Sequence, residues 1–287
     1  MKLTFMKKTN IKIFFILMFS SMIYFGVVSH LYAVETSESL KDAYQFYLSN
    51  LNRKYINEKI TSLLTTEWSQ TGSYAMYTPT KVRVSCWSLA IAQMLYYHKL
   101  LPKGIVGYKS SQGAQIHEDL GYYQFHWNLF VNKIDDNTPA DSIEQIAKYC
   151  YFTAVVLRYD FGSGNYLLND DEHTLKHMLE KFFQCKVEKF EFKEHSFSNQ
   201  RNDIIRIIKN EINASRPVMF YIESKNLWVT HAVVIDGYLE KEGLYLVHIN
   251  HGLGGEGNGS FDLFDSISRR NDDRERRVLI TIKPKIR

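Results

Sequence analysis

This chain has only three cysteines in 287 residues. An odd number cannot pair completely within one chain, so at least one thiol is left over even in an oxidising compartment. It also lacks a basic stripe. Lys and Arg number 35 against 31 acids, for a formal charge of +4, and they are spread along the chain, so the footprint of a nucleic-acid binder is missing. There is no internal repeat and no low-complexity linker, and "RRNDDRERR" reads as a solvated loop.

One long apolar run stands out, at the N-terminus. "MKLTFMKKTNIK" carries four lysines and no acid, "IFFILMFSSMIYFGVV" follows, and the run ends near "SHLYA" with Ala33 at a suitable cleavage point. Residues 1–33 therefore read as a secretory signal peptide. The run is slightly short for a membrane span, and no cysteine follows it to carry a lipid. The expectation is an exported protein, secreted or held in the cell envelope, with no stable membrane anchor.

With 45% hydrophobic and 14% aromatic residues, the remainder can build a substantial core. "LKDAYQFYLSNL" has the spacing of an amphipathic helix within residues 34–60. Helices are also expected from Cys86 to about Leu100, in "PADSIEQIAKYC", in "DDEHTLKHMLEKFF" and in "NDIIRIIKNEI". From Arg216 onward "RPVMFYIE", "THAVVIDGY", "LYLVHIN", "SFDLF" and "RRVLITIK" are short β-branched and aromatic runs between turns. Helices first and antiparallel strands afterwards predict an α+β domain over 61–287, with a site in the cleft between the two halves.

Two stretches carry residues suited to chemistry. In "VRVSCWSLAIAQMLYYHKLLPKG", Ser85 is a natural N-cap and Cys86 opens the helix, where free N–H groups and the helix dipole favour a thiolate. A packed thiol is the plainer reading of the same position. Cys150 and Cys185 sit in apolar patterns that read as helical; they are either buried free thiols or a pair. In "VTHAVVIDGY", His231 opens a strand, and Asn250 follows 19 positions later at the end of the next one. An amide placed there can fix the imidazole tautomer while the other ring nitrogen faces a thiol. The order Cys, His, Asn, with 145 residues from Cys86 to His231, is that of papain-like thiol proteases.

The blocks "WSQTGSYAMYTP", "SCWSLAIAQMLYYHKLLPKG", "RPVMFYIE…THAVVIDGY" and "HINHGLGGEGNGSFDL" resemble, in order and spacing, the C10 family of cysteine peptidases, the streptopain type. "FHWNLF", "DFGSGN" and "TLKHMLEKFF" fall between them in the family's order. The resemblance implies a papain-like fold and an endopeptidase acting on proteins or peptides without metal or organic cofactor. It implies Cys86 as nucleophile, His231 as general base and then acid, Asn250 orienting His231, and Gln70 donating to the oxyanion beside the Cys86 N–H.

Three departures accompany it. His251 and Leu253 stand where the family has tryptophans, Ser85 where it has glycine before the cysteine, and Val229-Thr230 where it has Gly-Gly before the histidine. Residues 34–60 are too few for a family pro-domain; they are either a minimal plug or part of the mature fold. The rivals are a papain-like peptidase of the double-glycine-leader type, whose Cys-Gly-Pro context is missing here, and a non-catalytic secreted binding protein. A metal site from His248, His251 and Cys86 is disfavoured, since strand residues three apart face opposite ways. His98, His126, His173, His177 and His195 read as surface or core residues.

Overall fold

The computed structural model describes residues 59–161, 163–168, 173–193, 197–224, 229–263 and 275–285, all within one compact unit, Leu51–Arg287. The expected signal peptide, and the expected helix within 34–60 apart from Lys59 and Ile60, lie outside the described residues. Among those described, no helix is long and apolar enough to cross a membrane.

The first helix, α1 (Cys86–Tyr97), starts where Ser85 accepts a bond from the Ser88 N–H, and Ser88–Leu95 are buried. It is enclosed on several sides, packing against α2 (Ala140–Val156) and against strands β4 (Val218–Ser224) and β5 (Val229–Lys241). That enclosure explains an apolar run with little amphipathic contrast. Helix α3 (Leu175–Phe182) is the opposite case: Thr174 caps it, and Leu175, Met178, Leu179 and Phe182 form a single buried stripe. Helix α4 spans Phe197–Asn213.

All strand pairs among the described residues are antiparallel. Besides β4 and β5, the large sheet contains β3 (Cys185–Lys193), β6 (Leu244–Asn250), β7 (Gly259–Asp262) and β8 (Glu275–Pro284), in the order β3-β8-β4-β5-β6-β7. The C-terminal sheet is therefore present as expected, with one addition. Cys185, expected inside a helix, instead opens β3 and pairs with Pro284. Its run "CKVEKFEFK" buries Cys185, Val187 and Phe192 while Lys186, Glu188 and Glu191 stay exposed, a half-buried edge strand guarded by charge. A second correction is the hairpin of β1 (Ile105–Lys109) and β2 (Gln115–Asp119) in the expected helical part. Both strands are short and largely exposed, so their hydrophobic signal is weak.

Strand β5 carries a bulge between Ile235 and Gly237. Residues 60–64 cross it closely: a Cβ on Gly237 would sit 2.5 Å from the Thr61 carbonyl oxygen. Asp236 fixes the crossing, its main-chain oxygen accepting from Leu63 N at 2.8 Å and its carboxylate from Leu64 N at 3.0 Å. The same carboxylate meets His248 Nδ1 at 2.6 Å. Residues 60–68 thus form a strap leading from the sheet to the fully buried Trp68 and on to Gln70.

Candidate active site

Helix α1 delivers Cys86 and strand β5 delivers His231. Packing of α1 on β5 brings the Ala232 N–H, one residue past His231, within hydrogen-bond reach of the Cys86 thiol. Both residues are half-buried.

The thiol is not lowered as the helix-start argument predicts. Burial pushes the Cys86 pKa up, and the opposing pull of the Ala232 N–H, Arg83 and the helix N–H groups is smaller. Burial likewise holds His231 down at about 4, against the favourable bond to His251.

His231 Nε2 lies 3.0 Å from the main-chain oxygen of His251. In the neutral ring Nε2 must carry the proton to make this bond, which leaves Nδ1 as the acceptor. The His251 ring lies parallel to that of His231, centroids 6.2 Å apart and planes at 6°, and meets Phe261 edge-on at 5.5 Å. It is 1% exposed, so it covers His231 at the place where the resembling family has an indole.

Asn250 is 3% exposed, and its amide is turned to the strap and the helix. Nδ2 donates to the Thr66 carbonyl at 2.6 Å and to Gln93 Oε1 at 3.2 Å. Oδ1 accepts from Gln93 Nε2 at 3.4 Å and from the Gly252 N–H at 3.0 Å. The β5–β6 register explains this: Asn250 pairs with Val234, three residues beyond His231. Asn250 thus grips the Gly252 N–H, in the same peptide unit as the carbonyl that holds His231, and Asn258 Oδ1 accepts from the His251 N–H at 2.9 Å.

The turn after Asn250 needs its glycines. Gly252 has φ +66° with Leu89 in α1 only 2.9 Å from a hypothetical Cβ, and Gly255 has φ +90° with Glu67 at 2.6 Å. Gln70 is buried, and its carbonyl accepts from Val84 N at 3.0 Å, joining the strap to the segment before Cys86. Ser85 has φ 69° and ψ 155°, a region that favours glycine. Its hydroxyl meets the Tyr166 hydroxyl, which also lies 3.1 Å from Ser88 Oγ. The side chains of Val229 and Thr230 lie outside the described residues.

Of the expected site residues, Cys86 and His231 lie on packed neighbouring elements, the Cys86 thiol within reach of the Ala232 N–H, while Asn250 and Gln70 connect to the same region through main-chain bonds. Gln93, Thr66, Asn258 and Tyr166 were not singled out from sequence. Gln93 alone had a visible signal, a glutamine inside the buried run "LAIAQML". His248 faces Asp236 and His251 faces His231. Cys150 and Cys185 are buried and free.

Solved structures with a similar fold include active wild-type interpain A, a cysteine protease of Prevotella intermedia (TM-score 0.60, 21% identity, covering 79% of this chain and 96% of that one). A cysteine-to-alanine mutant of a prointerpain A fragment from the same organism is also similar (TM-score 0.58, 20% identity, 82% and 80% covered). No curated protein matches by sequence. The profile of the peptidase C10 family matches residues 68–261, a segment containing Gln70, Cys86, His231 and Asn250. The chain belongs to the peptidase C10 family and is a cysteine-type peptidase.

Proposed function

We propose that the protein is an exported endopeptidase of papain-like arrangement that cleaves proteins or peptides through a thioester on Cys86. The observation that carries this reading is the His231 Nε2 bond to the His251 carbonyl, because it leaves Nδ1 as the proton acceptor on a ring whose chain neighbour, Ala232, meets the Cys86 thiol with its N–H. Cys86 Sγ attacks the scissile carbonyl carbon as its proton passes to His231. The resulting oxyanion meets the Cys86 N–H and the Gln70 side-chain amide, donors that act mainly on charge developed in the transition state. Collapse breaks the peptide C–N bond, His231 gives its proton to the leaving amine, and a water deprotonated by His231 then hydrolyses the thioester.

Cleavage of reduced casein by residues 34–287 and by a form starting at residue 58, each beside Cys86→Ala and His231→Ala, tests the reading. Activity lost in both variants supports it. Activity confined to the shorter form makes residues 34–57 a plug. A folded protein inactive in both forms overturns it in favour of a binding protein built on the peptidase fold.

A further inference from the structure

Gln93 lies two turns into α1 from Cys86 and is completely buried. A buried glutamine is costly unless its amide is satisfied, and here it is satisfied across three separate pieces of chain. Its Oε1 accepts from Thr66 Oγ1 in the strap at 2.6 Å and from Asn250 Nδ2 at 3.2 Å, and its Nε2 donates to Asn250 Oδ1 at 3.4 Å. Asn250 in turn accepts from the Gly252 N–H and donates to the Thr66 carbonyl. Between Asn250 and Gly252 sits the carbonyl of His251, which holds His231. The helix carrying the thiol is therefore tied, through one side chain, to the turn that orients the imidazole.

We propose that Gln93 is a positioning residue for the peptidase reaction: by fixing Asn250 against α1, it sets where the His251 carbonyl meets His231, and so keeps Nδ1 available to the Cys86 thiol. The inference rests on the peptidase reading for its consequence, but its geometry does not involve a substrate. The polar knot also accounts for Asn250 better than a direct contact with His231, since both atoms of its amide are committed elsewhere. Thr66 completes the knot from the strap, so the strap becomes part of the catalytic support.

The test uses the full chain with Gln93→Leu, Gln93→Glu and Thr66→Val, beside His231→Ala as a reference. Alkylation of Cys86 by iodoacetamide, read by mass spectrometry on the Cys86 peptide, is measured from pH 5 to 8, and melting curves check folding. Wild type should react faster than His231→Ala because the imidazole assists removal of the thiol proton. Gln93→Leu should lose most of that excess, about tenfold, the scale at which small misplacements act. Thr66→Val should lose less. Gln93→Glu should regain part of the excess at the acid end, where a protonated carboxyl can again donate to Asn250. On casein the Gln93 loss should fall in kcat rather than KM.

A folded Gln93→Leu that keeps wild-type alkylation overturns the proposal. If that variant does not fold, Gln93→Glu and Thr66→Val decide it: wild-type alkylation in both at every pH overturns it, and a graded loss supports it. Alkylation needs no substrate, so a protein inactive on casein defeats the peptidase reading without deciding this one.

Discussion

His231 is held by the main-chain oxygen of His251, at 3.0 Å, while the two imidazole rings lie parallel with centroids 6.2 Å apart. One residue thus orients the candidate general base with its backbone and covers it with its side chain. These two contributions separate by mutation.

His251→Phe keeps both the carbonyl and a flat ring against Phe261, so it should cost less than about 1.5 kcal/mol of stability, the range of a volume-conserving core swap, and cleavage should persist. His251→Ala keeps the carbonyl but leaves a cavity beside His231, costing roughly 2–3 kcal/mol of stability and lowering kcat more than KM. Equal activity in the two variants would show that the ring contributes nothing.

Ser85 supplies a second separation. Its φ of 69° is the left-handed side of the map, where a serine carries strain of order 1–3 kcal/mol, while its hydroxyl caps α1. Ser85→Gly removes the strain and loses only a few tenths of a kcal/mol of capping, so the melting temperature should rise by about 2–4 °C. Ser85→Ala keeps the strain and loses the cap, costing about 1 kcal/mol. Thermal melts of both variants check the opposite signs.

Acid should destabilise the fold through histidines that it holds below their ordinary pKa. Burial holds His98 and His231 at about 4 and His251 well below its ordinary value. Each binds its proton more readily when unfolded, so the stability it contributes is complete above pH 6.5 and is lost as the pH falls from there toward the folded pKa. The loss approaches about 1.4 kcal/mol per pH unit for a fully buried group such as His251, and less for the half-buried His98, which solvent screens. Urea midpoints at pH 7.5, 6 and 5 should fall with a slope that His98→Gln makes shallower; an unchanged slope would mean that His98 is protonated in the fold.

The strap depends on Asp236. Asp236→Ala leaves the Leu64 N–H and His248 Nδ1 without their acceptor in a buried place, at a cost of about 3 kcal/mol. Hydrogen exchange at the Leu63 and Leu64 amides should speed up more than in α3, because the strap loosens before the core. Uniform acceleration would show that Asp236 supports the sheet as a whole instead.

Much of this was legible along the chain. Local chemistry sufficed for the Ser85 cap and the stripe of α3. The short β-branched and aromatic runs after Arg216, separated by turn residues, located β4 to β8. The β1–β2 hairpin was missed because exposed strands carry little hydrophobic signal, and β3 because "LEKFFQC" continues the apolar pattern of α3 up to the residue where the chain turns into the sheet.

The sequence by itself determined which residues have chemistry to offer: one thiol at a helix start, one histidine opening a strand, and an asparagine before a glycine-rich turn. The tertiary structure decided what each of them touches. Strand register puts Asn250 opposite Val234, so the histidine is held by a carbonyl, a group every residue has and no sequence pattern singles out. Burial, a property of the assembled layers, outweighed the helix N-terminus at Cys86. Linear order encodes side-chain identity, but register and desolvation arise only when distant segments pack.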